Sequence, residues 1–343
     1  MAGPEWALAS AGVIVVLSLI LGPLLRFSLQ PVAGSMKVSM PPSTSVNPIT
    51  AALQQTDLQV GKGPIELGES EVIRVKIANP DYLRTGYFTE YKGNGWSRIR
   101  PETLEASTGF VHIDLEYPGN WTDPWPKGVP LEPIQGAKTM ELELLGPSDS
   151  LSVLPAPGPI VGLYIDKPGN STYSLSGMVY RRRQLAIGES AKVRYLVPDP
   201  NVEPGSSVLP PEFKVLDRYF IENSKTPKAV LDFARRAASG SKNDFDKAKQ
   251  IKEAIARTAG YTLKAPALSP TSDAVEQFLF STKKGYCDLF ATAMVVCARS
   301  VGMRARYTIG YLITDPKKDS DGFYTVRAKD AHSWAEVYLE GKG

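Results

Sequence analysis

A chain of 343 residues with 43% hydrophobic and 22% charged residues, 29 Gly and 28 Pro has room for about two globular domains and is not collagen-like, coiled-coil or wholly disordered. Lys and Arg number 39 against 36 Asp and Glu, a net charge of +3 that is too small to predict a nucleic-acid partner. Two Cys and two His exclude a zinc ribbon, a disulfide framework and most His-rich metal sites, and no motif predicts a metal or organic cofactor.

In chain order, Trp6 to Leu25 is free of charge, bracketed by Glu5 and Arg26. A helix of that length spans about 30 Å, the thickness of a bilayer's hydrocarbon core. Residues 1–27 therefore predict a transmembrane helix that meets membrane lipid through residues 6–25, since the basic n-region of a signal peptide is missing. Residues 28–70, with Pro31, Pro41, Pro42 and Pro48, predict a stalk or linker. Over 71–205 the period becomes two, as in Ile73-Arg74-Val75-Lys76-Ile77 and Met140-Glu141-Leu142-Glu143-Leu144, so a β-rich antiparallel domain follows. His112 sits inside it, in Phe-Val-His-Ile, where a structural role is expected.

Residues 206–343 read as α+β. Thr226-Pro227 predicts an N-cap and first helical position for a helix with Val230, Phe233, Ala234 and Ala237 on one side. Asn243 predicts the cap of a second, with an apolar stripe of Phe245, Ala248, Ile251 and Ile255 ending at Gly260. A short helix is expected at 273–280, then a helix from Asp288 to Met303 whose only charges are Asp288 and Arg299, which predicts burial. Strands are expected at 304–313, 323–327 and 332–339. Asp315, Asp319 and Asp321 lie in a hairpin turn that lacks the spacing and terminal Glu of a calcium loop.

There is no Gly-x-Ser-x-Gly elbow, Walker loop, Gly-x-Gly-x-x-Gly or His-Glu-x-x-His, so nucleophilic chemistry falls to the Cys and His residues. Cys287 and Cys297 fall in one predicted helix, roughly 15 Å apart along its axis, too far for a disulfide. Cys297, in mid-helix, reads as core. Cys287 opens the helix, where free N–H groups and the positive dipole end favour a thiolate and could receive an oxyanion. Asp288 opposes the thiolate, and a small buried hydrophobe is the other reading. On a strand, His332 shares a face with Trp334, Glu336 and Tyr338, away from Ala335, Val337 and Leu339.

Gly285-Tyr286-Cys287-Asp288-Leu289-Phe290-Ala291 resembles the nucleophile motif of the transglutaminase-like superfamily, and Asp330-Ala331-His332-Ser333-Trp334-Ala335-Glu336-Val337 resembles its histidine motif. Arg299-Ser-Val-Gly-Met-Arg-Ala-Arg306 and Gly310-Tyr311 are also similar to that family, and the match covers about residues 210–343. More weakly, the span, the β region, Gly86-Tyr87-Phe88 and Gly95-Trp96 resemble bacterial membrane-anchored members. The resemblance implies a papain-like α+β core preceded by an antiparallel β domain and one transmembrane helix. It implies Cys287 as nucleophile, His332 as base, and a third residue, Asp, expected beyond Gly343. Tyr286 and Trp334 are expected to line the substrate cleft, with core packing the other reading for Tyr286. Asp330 and Glu336 are too close in sequence to His332 to replace it. The implied chemistry is thiol-dependent acyl transfer or hydrolysis on a protein or peptide substrate, with the soluble part extracytoplasmic; a non-catalytic peptide- or wall-binding module is the alternative.

Overall fold

The computed structural model describes residues 57–65, 68–98, 137–146, 153–165, 178–181, 185–196 and 220–339, with the backbone of 113–115 and 171–173. The predicted membrane helix at 6–25, most of the predicted stalk and His112 lie outside these residues. Among the described residues no helix is long and apolar enough to cross a membrane.

The period-two segments form antiparallel sheets. Strands β2 (Glu71–Lys76), β7 (Lys138–Leu144), β8 (Ile160–Ile165) and β11 (Ser190–Tyr195) turn Ile73, Val75, Met140, Leu142, Leu144, Val193 and Tyr195 into a core. Their charged neighbours pair across the other face, Arg74 with Glu143 at 2.7 Å and Lys192 with Glu141 at 3.0 Å. The fifth strand of this sheet is β15 (Tyr324–Arg327), which comes from the C-terminal half, in the order β15-β2-β7-β11-β8. A second sheet reverses the exchange. It has the order β16-β14-β3, in which β3 (Tyr82–Phe88) from the N-terminal half pairs with β14 (Ala305–Leu312), and β14 with β16 (Ala331–Val337). Gly310 makes the β3–β14 contact possible, because a Cβ there would lie 2.0 Å from the Leu83 carbonyl oxygen and 2.9 Å from Trp334 Cη2. Sheet pairing thus crosses the expected boundary at 205/206 in both directions.

The end of the predicted stalk is also packed. Strand β1 (Asp57–Gln59) pairs with β5 (Gly95–Ser97), and β5 with β4 (Glu90–Tyr91). Leu58 and Val60 are buried, so the apolar residues at this end of the segment join the core.

The buried helix α4 (Cys287–Ser300) packs against the second sheet, and three other helical segments pack on it. Helix α1 (Lys228–Ala237) buries Val230 and Ala234. Its N-cap is Pro227 rather than Thr226, because extended Pro227 at ψ 147° delays the first helical residue to Lys228. Helix α2 (Asp244–Thr258) is capped as expected by Asn243, whose side chain accepts the Asp246 N–H at 2.9 Å. Ile251 and Ile255 are buried, but Phe245 is 55% exposed. A first-turn side chain leans toward the N-terminus and has no preceding turn to cover. Helix α3 (Ala274–Glu276) continues into a π-helical turn at Gln277–Thr282. Helix α4 (Cys287–Ser300) is the buried helix.

Trp96 and Arg299 lock α4 to the N-terminal half. Trp96 donates its indole N–H to Thr292 Oγ1 at 3.0 Å and stacks on Tyr307. Arg299, 1% exposed, donates to the carbonyl of Ala305 at 2.9 and 2.7 Å and to that of Thr89 at 2.7 Å, over the Trp96 ring. Arg299→Met keeps the aliphatic volume but orphans these carbonyls, and should lower urea stability by about 3 kcal/mol; a loss below about 1 kcal/mol would show that water replaces the guanidinium.

Candidate active site

The chain enters α4 through a tight turn. The π-helical turn ends at Lys283, which has φ 48°, and Lys284–Gly285 form the short strand β13. Tyr286 is an N-cap without a side-chain cap bond, so Cys287 takes the first helical position with its N–H free for partners outside the helix. That N–H donates to the phenol oxygen of Tyr261 at 3.2 Å. Asp288 at the second position accepts the Leu289 N–H on Oδ1 at 2.6 Å and the Gly61 N–H on Oδ2 at 2.8 Å. The carboxylate therefore caps its own helix and fastens residues 57–65 to the site. Sequence reasoning weighed Asp288 only as a charge beside the thiol; Gly61, distant in the chain, gave no signal.

Burial sets the electrostatics. It pushes the Cys287 thiol up to about 11, and the neighbouring Asp288 charge adds to this, while the Ser333 hydroxyl and N–H act against both. Burial pushes Asp288 up to about 7, against the pull of the Gly61 and Leu289 N–H groups. Burial also pushes His332 down to about 4. Both residues keep some surface open to solvent, but protein atoms crowd their reacting atoms. Thiol and imidazole are thus both neutral near pH 7, and no hydrogen bond joins them. Beside the thiol lie Ser333, the residue after His332, on β16, the strand packed against α4, and the Tyr261 phenol. The Ser333 hydroxyl is buried and has no partner at normal hydrogen-bond distance.

His332 pairs with Gly310, and its ring centroid lies 6.0 Å from that of Tyr82, which is 4.8 Å from Trp334. Trp334 is half-buried in this aromatic wall. Tyr286 is 1% exposed; its ring packs inside, with its hydroxyl toward Asp288. Neither nearby acid serves His332. Asp330 accepts the Thr314 hydroxyl at 2.5 Å and the Arg327 N–H at 2.7 Å, capping a 3-10 turn. Glu336 is clamped by Arg306 at 2.5 Å and Arg84 at 3.2 Å, which hold it down to about 2 against its burial. Cys297 is buried and pushed up to about 12. In the turn of three aspartates, Arg74 bridges Asp319 and Asp321. Tyr82, Tyr261 and Ser333 were not singled out in the sequence, although Tyr261 follows the helix-ending Gly260 in a Tyr-Thr-Leu run that suits a short strand.

Residues 231–343 match the family model of the transglutaminase-like superfamily, and this segment is a transglutaminase-like domain. Over 307 residues the chain is 29% identical to the uncharacterized protein YebA of Bacillus subtilis, covering 82% of this chain and 38% of that protein. Over 83 residues it is 36% identical to a protein-glutamine gamma-glutamyltransferase of Pseudomonas aeruginosa, covering 24% of this chain and 12% of that protein. The chain thus spans well under half the length of these relatives. The periplasmic domain of TgpA from Pseudomonas aeruginosa has the same fold, with a TM-score of 0.54 over 87% of this chain and 91% of that one at 18% identity. The architecture is a mixed sheet-and-helix transglutaminase-like fold with antiparallel sheets.

The shifted groups give opposite pH trends. Asp288 rises from 3.8 to about 7, so between these values the folded chain holds a proton that the unfolded chain releases, and stability falls as pH rises. His332 drops from 6.5 to about 4, so in that window the unfolded chain holds the extra proton, and stability rises with pH. Relative to the parent, the urea stability of Asp288→Asn should climb through the window from 4 to 6.5, by up to about 1.4 kcal/mol per pH unit, and that of His332→Gln should decline. Differences that stay flat across the window would contradict this assignment.

Proposed function

We propose that this transglutaminase-like domain carries out thiol-dependent acyl transfer on a glutamine carboxamide or peptide amide of a protein or peptide substrate, with Cys287 as nucleophile and His332 as base. The observation that carries the reading is the placement of Cys287 at the first position of a buried helix, with Ser333, the chain neighbour of His332, against its sulfur. A neutral thiol and a neutral imidazole suit general-base attack rather than a stored ion pair. His332 takes the thiol proton as sulfur bonds the carbonyl carbon and the π pair moves to oxygen. Collapse of that intermediate expels ammonia, which carries the proton from the imidazolium, and leaves a thioester on Cys287. An amine then completes transfer, and water completes hydrolysis.

The name of the Pseudomonas aeruginosa relative, a protein-glutamine gamma-glutamyltransferase, favours transfer from glutamine. The uncharged run at 6–25 supports a membrane anchor, and the word periplasmic in the description of TgpA supports an extracytoplasmic position for the soluble part. Because Asp330 and Glu336 are engaged elsewhere, the acid that orients His332 is neither of them.

Incubated with a glutamine-containing peptide and a primary amine, the protein should release ammonia and form the amide conjugate seen by mass spectrometry. Cys287→Ser should abolish this, His332→Ala should lower the rate by about 10²–10⁴-fold, and Cys297→Ser should leave it intact. Ammonia release that survives Cys287→Ser would remove the reading. Release without conjugate would identify a hydrolase.

A further inference from the structure

Ser333 follows His332 on β16 and is buried where that strand packs against α4. It lies directly across from Ile309 on β14, so Tyr307, two residues before Ile309, shares its face of the sheet. Diagonal neighbours across a strand pair are about 7–8 Å apart, within reach of an aromatic side chain. The buried Tyr307 ring is fixed by stacking on Trp96 with centroids 5.5 Å apart and by an edge contact with Phe88 at 6.1 Å. Its phenol comes beside the Ser333 hydroxyl, and that hydroxyl and the Ser333 N–H come beside the Cys287 sulfur. Burial raises the Tyr307 phenol well above its ordinary range, so it keeps its proton. A phenol, a hydroxyl and the nucleophilic thiol therefore follow one another through the packed interior between β14 and α4.

A hydroxyl donates one proton and accepts others. When the Tyr307 phenol donates to Ser333 Oγ, the Ser333 proton is left to point at sulfur. A thiol is a weak acceptor, whereas hydrogen bonds to a charged acceptor are about twice as strong, and more so in a low dielectric. These donors therefore gain most when the sulfur becomes charged, and an interaction that strengthens along the reaction is one that speeds it. We propose that Ser333 is a catalytic residue whose hydroxyl and N–H hold the charge on sulfur as His332 removes the thiol proton, and that Tyr307 is the positioning residue that aims the hydroxyl. The proposal rests on Cys287 being the acyl-transfer nucleophile. The thiol proton goes to the imidazole, the electron pair left on sulfur is met by the two Ser333 donors, and that pair then forms the bond to the carbonyl carbon. Ser333 and Tyr307 keep their own protons throughout.

Iodoacetamide alkylation of the full chain, followed at Cys287 by mass spectrometry from about pH 7 to 10, reads the thiolate without any amide turnover. Ser333→Ala should slow it about tenfold at each pH, which moves the rate profile about one pH unit upward. Ser333→Thr, which keeps a hydroxyl, should stay within about threefold of the parent. Tyr307→Phe should slow alkylation about threefold alone but less than about 1.5-fold in the Ser333→Ala background, because it acts through that hydroxyl. Cys297 should stay unreacted in each variant as a check on the fold. A packing role would act the other way, since a void beside the thiol exposes it and speeds alkylation. If alanine opens the fold and Cys297 reacts, Ser333→Thr and Ser333→Val, which match in shape, take its place and should differ about tenfold. An unchanged or faster rate in a folded Ser333→Ala, or equal rates for the Thr and Val variants, would overturn the proposal. If the parent turns over no glutamine peptide, the acyl-transfer reading fails, and the alkylation comparison still decides Ser333.

Discussion

Burial of the first turn of α4 is the constraint on which the site depends. A helix start leaves several N–H groups without partners, and in a dry interior each must be satisfied. Here the partners are the phenol oxygen of Tyr261 and the carboxylate of Asp288. That arrangement places a carboxylate next to a thiol in a low-dielectric setting, and the consequences follow in order. The thiol is pushed up, Asp288 is pushed up, and His332, crowded on β16, is pushed down. The free protein holds a neutral pair, so reactivity depends on donors that meet the charge as it forms. The Ser333 hydroxyl and the Tyr261 phenol are polar groups that stand beside the thiol.

The same constraint explains why the N-terminal half cannot be separated from the site. Gly61 binds Asp288, Trp96 binds Thr292 on the buried helix, and Tyr82 lies against His332 and Trp334. These contacts come from strands β3 and β5 and from the chain just after β1, and the exchange of β3 and β15 between the two sheets holds them in register. Arg299 seals the far end of α4 by joining the carbonyls of Ala305 and Thr89. A chain division drawn from composition alone cuts through all of this.

Local features were legible in the sequence. The period of two located β2, β7 and β11; Asn243 located a cap; the near absence of charge after Cys287 located the buried helix. The short motifs around Cys287 and His332 pointed to the family that the match over 231–343 gives. What the sequence hid was long-range pairing. Strands β3 and β14 are joined across more than half the chain, and their contact depends on the missing side chain of Gly310, which in sequence looks like any turn glycine. Tyr286 had two readings, cleft and core, for a related reason. An N-cap aromatic can face outward or inward, and only the packing around it shows that it turns in. Phe245 erred the other way, as an apolar residue in a stripe that starts before there is anything to cover.

The central claim is that Cys287, in a neutral pair with His332, forms a covalent acyl intermediate. Intact-protein mass spectrometry after rapid acid quench of the protein with a glutamine-containing peptide, without an amine acceptor, tests it most directly. The account predicts an adduct of the peptide less ammonia on Cys287 alone, released by hydroxylamine as a thioester is. An adduct on Cys297, or ammonia release with no adduct at Cys287 at any quench time, would contradict it.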